Sequence, residues 1–326
     1  MLKTLGHDTE LFGAKDGKII PLSPDILTGT KEHPQKIGNC CSLQLDNVLC
    51  EVTSPPATSA SHFSDIMIHG KDQAEKWLMK NHKITAIYDS HHEFELNDVM
   101  TPWAMQNGCA PDFTADTEDP VAKLDMTLFT TLKTASGHIH IGVYEPDKWT
   151  MTDKIQMVRA LDFALGAPLS LMHNDPIRRK LYGKAARFRS KPYGFEYRTP
   201  DNYWFGSADP YLYHSIFDVI RHTMSIAPDN RAWSEINQAH SALCDAINAG
   251  HKDKIADLMC HNPFYQLDYS RGKKLKKPKK YASKYNIPPI DFSQFNMSSA
   301  TQPPPMPEDA VEMWPDDEPV DGDENY

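Results

Sequence analysis

The sequence predicts an α+β fold in which one sheet has an apolar side and a polar, chemically loaded side. Two kinds of observation point to it. Three segments alternate strictly between charged or histidine residues and apolar ones, as a strand between a core and a lined cavity must. Separately, several stretches carry the apolar spacing of helices, suited to packing the back of such a sheet.

In chain order, residues 5–12 read as a strand, followed by a turn at Asp16-Gly17 and a short strand at Lys18-Ile19-Ile20. A polar loop around 28–39 follows. A single strand then runs from Leu43 to Thr53, ending at Pro55-Pro56. Phe63, Ile66, Met67, Ala74 and Leu78 form an apolar stripe that predicts a helix from Ser59 to about Lys80. Residues 84–96 alternate as one or two strands, 97–120 read mainly as polar loop, and 136–143 form another strand. A helix is expected over 152–165, continuing helically through 168–180. Further helices follow at 209–226, at 231–249 with Gly250 as its C-terminal cap, and at 251–260. No internal repeat is visible.

The formal net charge of −10 is concentrated at one end. Nine acids and no bases follow Pro307, so residues 1–307 carry about −1 and show no nucleic-acid signature. Three divisions are expected: a globular domain over 1–265, a basic connector over 266–297 and a disordered acidic, proline-rich tail over 298–326. The lysine-rich run from Arg271 reads as a solvated connector. No run of about 18 apolar residues and no signal-peptide pattern is seen, which predicts a cytoplasmic protein with no membrane partner. The six cysteines, at 40, 41, 50, 109, 244 and 260, contain no Cys-x-x-Cys pair and are expected to be reduced. A zinc site from Cys40, Cys41, Cys50 and His33 fits no familiar spacing.

Three segments carry chemistry. In 187–202, Arg187 and Arg189 share one side of an extended segment. Further on, Glu196 and Arg198 share a side opposite Phe195 and Tyr197. His138 and His140 lie opposite Ile139, Ile141 and Val143. Asp8 and Glu10 share a face near the start, and Glu51 ends the strand after Asp46. Oxygen-rich ligand sets of this kind select Mg²⁺ or Mn²⁺ over zinc. Adding Arg187, Arg189 and Arg198 suggests phosphoryl transfer, with cations bridging phosphate oxygens and arginines neutralising developing charge. No P-loop and no kinase motif set is present.

The ordered set Gly6-His-Asp-Thr-Glu10, Asp46-Asn-Val-Leu-Cys-Glu51, Gly108-Cys-Ala-Pro-Asp112, Ser136-Gly-His-Ile-His-Ile-Gly142 and Lys191-Pro-Tyr-Gly-Phe-Glu-Tyr-Arg-Thr199 resembles the type 2 amidoligases found in phages. These are carboxylate–amine ligases of the glutamine-synthetase-like superfamily. The resemblance implies a largely antiparallel, curved sheet with helices on its outer face, and a host-cytoplasmic location if the chain is phage-encoded. It implies ATP-dependent phosphorylation of a carboxylate, then attack of an amine on the acyl phosphate. Asp8 and Glu10 would each serve one Mg²⁺ site, with Glu51 in the site nearer the acceptor carboxylate. His138 and Glu196 would hold the metal nearer the transferred phosphate, and His140 would reach the ATP phosphates. Arg198 would steady the γ-phosphate, with Arg187 and Arg189 as phosphate-binding neighbours. Asp8 stands where glutamine synthetase has a glutamate, and no counterpart of that enzyme's ammonium-site loop is seen. The partners expected are therefore a small-molecule or peptide carboxylate and an amine larger than ammonia. Cys109 and Asp112 would lie at the substrate end. Competing readings are a metal-dependent hydrolase built on His138 and His140, and a non-catalytic phage binding protein.

Overall fold

In the computed structural model the described residues are 1–38, 40–105, 113–116, 131–225 and 230–260. Side chains of 230–232 and 260 are excluded. The chain divides into Met1–Phe295 and Asn296–Tyr326, and all described residues fall in the first unit. The expected connector and tail lie outside them, as do Cys109 and Asp112.

The architecture is α+β. The strands are β1 (Leu2–Lys15), β2 (Lys18–Ile20), β3 (Gln35–Ile37), β4 (Cys41–Asp46), β5 (Leu49–Thr53), β6 (Thr85–Ile87) and β7 (His91–Glu93), then β8 (Phe113–Thr114), β9 (Leu132–Thr134), β10 (Gly137–Val143), β11 (Arg187–Lys191) and β12 (Gly194–Tyr197). The main sheet runs β3-β4-β5-β1-β10-β12-β11-β8, with β2 and β6 paired to the far half of β1. All of its pairings are antiparallel. β7 and β9 form a separate ribbon.

The helices are α1 (Ala60–His82), α2 (Leu96–Val99), α3 (Met151–Leu161), α4 (Ala167–Met172), α5 (Pro176–Leu181), α6 (Tyr203–Gly206), α7 (Pro210–Ser225), α8 (Asn230–Ala249) and α9 (Lys252–Cys260). Ser59 caps α1 by accepting from the His62 N–H, and Gly250 ends α8 at φ +76°. α1, α3 and α7 contact the sheet, where Leu5, Leu11, Leu43, Val52, Ile139, Ile141, Phe188, Phe195 and Tyr197 enter one continuous core. Those residues alternate with the polar ones along every central strand, so the period-2 pattern alone separates the two faces.

Four expectations change. The strand expected over 43–53 is a hairpin, because Asn47 takes the left-handed conformation (φ +58°) and reverses the chain between β4 and β5. Part of the loop expected at 28–39 is β3, the edge strand paired to β4. Helix does not continue through 168–180. It stops at Met172 and restarts at Pro176, whose ring disfavours helix in the preceding residue; there Asp175 accepts from the Ile177 and Arg178 N–H groups. Finally, Met151–Met172 is long and apolar enough to cross a membrane. It contains α3, a π-helical turn over Asp162–Gly166 and α4, and 83% of its most apolar window is buried inside the fold. It is a core helix of the sheet's covered side.

Candidate active site

Strand register assembles the site. Asp8 on β1 pairs with His138 on β10, Glu10 on β1 pairs with Glu51 on β5, and Gln44 on β4 pairs with Glu51. On the other side of β1, His140 pairs with Glu196 on β12, and Glu196 pairs with Arg189 on β11. Residues from six strands therefore share one face, although they span almost two hundred positions of sequence.

Asp8 and Glu196 anchor the first cluster. Asp8 Oδ1 lies 3.2 Å from His138 Nδ1, and Asp8 Oδ2 lies 2.8 Å from His140 Nε2. Glu196 Oε1 lies 3.3 Å from His138 Nδ1 and 3.2 Å from an Arg198 terminal nitrogen; its Oε2 faces Arg189 at 3.4 Å and Lys191 at 3.2 Å. Glu196 is fully buried and Arg198 nearly so. Glu196 and Arg198 are thus neighbours, but inside a network and not as an exposed pair. Tyr182 backs the cluster, with its ring 4.8 Å from the Arg198 guanidinium and 5.6 Å from the His138 ring.

The turn between β11 and β12 brings Tyr193 over His140, whose Nδ1 is 2.5 Å from the Tyr193 hydroxyl. Gly194 makes that turn possible. Its φ is +150°, and a Cβ there would stand 2.2 Å from the Ile141 carbonyl oxygen.

Glu10, Asp46 and Glu51 form the second cluster. Glu10 accepts from the Ser136 backbone N–H at 2.7 Å, and Glu51 from Gln44 Nε2 at 2.6 Å. Phe12, Leu49, Phe94 and Val99 belong to a small apolar cluster on the same side of β1 as Glu10.

The electrostatics separate the two clusters. Burial, then Asp46 and Asp8, push the Glu10 carboxyl well above its ordinary value. Burial and neighbouring Asp8, Asp46 and Glu10 do the same to Glu51. Burial would also raise Asp8, but His140 and His138 outweigh it and hold Asp8 well below its ordinary range. His140 is raised by Asp8 against its burial, while burial and Arg198 lower His138.

Metal ions fit this donor set. Asp8, His140 and Glu196 offer ligand atoms within 4.8 Å of one another, as do Glu10, Asp46 and Glu51. Asp8 Oδ1, both Glu196 oxygens, His138 Nε2 and His140 Nε2 are buried without an aligned hydrogen bond. Several of these atoms sit at ion-pair distance from one another. Buried polar atoms left in that condition are costly unless a cation completes them.

The expected residues Asp8, His138, His140, Arg189, Glu196 and Arg198 therefore come together, with Glu10 and Glu51 beside them. Arg187 is half-buried on the face of β11 that carries Arg189. Residues 129–265, which include β10, β11 and β12, match the family described as phage phiEco32-like COOH.NH2 ligase-type 2. The match covers less than half of the chain. The family is one of carboxylate–amine ligases, and the resemblance carried by the motifs thus holds over this segment. No curated protein matches the chain.

Sequence reading passed over Asp46, Gln44, Lys191 and Tyr193 as site residues. Asp46 and Gln44 were hidden by the missed hairpin. The signal was Asp46-Asn47, since asparagine tolerates the left-handed turn position. Lys191 was detectable from its alternation with Arg189.

Proposed function

We propose that this chain uses ATP and Mg²⁺ (or Mn²⁺) to form an amide or peptide-like bond through an acyl phosphate. The supporting observation is the buried meeting of Asp8, His138, His140 and Glu196 with Arg189, Lys191 and Arg198 on one sheet face. A carboxylate resists amines because its leaving group would be oxide. Transfer of the γ-phosphoryl group to it supplies a good leaving group, and the amine then displaces phosphate.

In this reading Asp8, Glu196 and the two histidines hold one cation, and Glu10, Glu51 and Asp46 hold another. Such cations neutralise phosphate oxygens and polarise the transferred group. Arg189 and Arg198 grip phosphate oxygens, with Arg187 as an outer neighbour. Lys191 adds a further positive charge beside Glu196. Tyr193 holds His140 with Nε2 turned inward. The burial of Glu10 and Glu51 helps to exclude water, which would hydrolyse the acyl phosphate. Both substrates, the carboxylate and the amine, are taken to be small molecules or peptides.

The test is incubation with ATP, Mg²⁺ and mixed amino acids or short peptides, followed by mass spectrometry. A product equal to two components less water, formed with ADP and phosphate, is expected. Absence of Mg²⁺-dependent binding of a non-hydrolysable ATP analogue by calorimetry would overturn the proposal.

A further inference from the structure

A different donor set lies outside the carboxylate clusters, and ligation makes no use of it. Asp116, His240 and Cys244 offer an oxygen, a nitrogen and a sulfur within 4.8 Å of one another. Asp116 follows edge strand β8, and His240 and Cys244 stand one turn apart on α8. The histidine and the cysteine are buried, while the Asp116 side chain is 31% exposed.

Asp162, in the π-helical turn, determines which ring nitrogen of His240 is available. Its Oδ1 accepts from the Tyr197 hydroxyl at 2.6 Å and the Thr199 hydroxyl at 3.0 Å. Its Oδ2 accepts from the Ala186 N–H at 2.9 Å and lies 2.8 Å from His240 Nε2. With three donors already on its oxygens, Asp162 acts as an acceptor toward His240 as well, so Nε2 carries the ring proton. Nδ1 then presents its lone pair 3.9 Å from Asp116 Oδ1, and Cys244 Sγ lies beside the ring, 3.8 Å from Nδ1 and 3.5 Å from Nε2. A carboxylate holding the far nitrogen of a histidine is the usual outer arrangement of a metal-bound imidazole.

We propose that Asp116, His240 and Cys244 form a site for a borderline-soft divalent cation of the Zn²⁺ class. Mixed nitrogen, sulfur and oxygen donors suit zinc, whereas the carboxylate clusters on the sheet suit magnesium. The exposure of Asp116 leaves a side through which water can supply a fourth ligand. Burial keeps the Cys244 thiol protonated in the metal-free chain, so cation binding releases that proton. Such an ion would tie the end of β8 to α8. Because β8 pairs with β11, it would also steady the strand that carries Arg187 and Arg189.

The test is titration of Co²⁺ into the metal-free full chain with Mg²⁺ present throughout. About one equivalent should give the visible bands of a tetrahedral site and a near-ultraviolet thiolate charge-transfer band, both displaced by Zn²⁺. Cys244→Ser should abolish the charge-transfer band, and Asp116→Asn should weaken Co²⁺ binding roughly 10-fold or more. Absence of the band in the natural chain overturns the proposal and favours a proton on Nδ1. A band of undiminished strength in Cys244→Ser also overturns it, by placing the thiolate elsewhere. Should Cys244→Ser not fold, unchanged Co²⁺ affinity in Asp116→Asn overturns the proposal by itself. None of these readouts depends on ligase activity.

Discussion

The two carboxylate clusters draw on the same strand, with Asp8 and Glu10 only two residues apart, yet they are balanced in opposite ways. Around Asp8 and Glu196 the fold supplies His138, His140, Arg189, Lys191 and Arg198. Around Glu10, Asp46 and Glu51 it supplies a backbone N–H, an amide and only the weaker influences of Arg178 and Lys31. Asp8 is accordingly held ionised, and Glu10 and Glu51 resist ionisation. The first cluster is equipped to meet an anion and a cation together. In the second, burial and neighbouring acids outweigh the nearby Arg178 and Lys31.

The largest effect should come from breaking the first cluster. Glu196→Gln keeps the shape but leaves three cationic side chains without their shared carboxylate. Turnover should fall about 10²–10³-fold in the ADP-release assay, the range seen when one preorganised electrostatic group is lost. Turnover within a factor of two of the natural chain would remove Glu196 from the mechanism.

The second cluster predicts an effect on stability. A carboxyl whose folded pKa is raised contributes stability at low pH that is lost as pH rises through that value. In chelator, denaturant stability should therefore decline as pH climbs above the ordinary glutamate value of 4.5. Mg²⁺ should oppose the decline. Glu51→Gln should gain about 1–2 kcal/mol over the natural chain in chelator at pH 8, by removing an uncompensated buried charge. Asp8 has the opposite sign: its contribution is present above its ordinary value of 3.8 and is lost as pH falls below it. In chelator, a stability difference between Glu51→Gln and the natural chain that stays constant from pH 5 to 8 would contradict the contrast between the clusters.

The covered face of the same strand provides a separate test. His7 packs against Phe205 and Trp204, and burial lowers its pKa to about 3 from 6.5. The unfolded chain therefore binds a proton that the folded chain rejects, so stability is full above pH 6.5 and falls as pH drops toward 3. The slope from this group approaches about 1.4 kcal/mol per pH unit. His7→Phe should flatten the stability profile by that amount between pH 6 and 4. An unchanged slope would show that His7 is reached by water.

Much of the site was legible because a strand's period of two is short. Asp8 with Glu10, His138 with His140, and Glu196 with Arg198 could each be placed on a common face from neighbouring residues alone. The boundary of α1 was readable for a similar reason, since Ser59 and the apolar stripe are local signals. Asp46 was not readable as a ligand candidate, because its place beside Glu51 depends on the reversal at Asn47. The Asp116–His240–Cys244 group was hidden more deeply: Asp116, beyond a strand end, lies more than a hundred residues before His240 and Cys244 on their helix.

By itself, then, the sequence determined which side chains share a face, where the main helices run, and that one side of a sheet would carry acids, histidines and arginines. Local periodicity and capping decide those features within a few residues. Only the tertiary structure decided the strand order, which sets Asp8 against His138 and Glu10 against Glu51. It alone divided the carboxylates into a cation-balanced cluster and one in which burial and neighbouring acids prevail. Pairing and burial are long-range properties, and the charge state of a buried group follows from neighbours that the chain brings in from elsewhere.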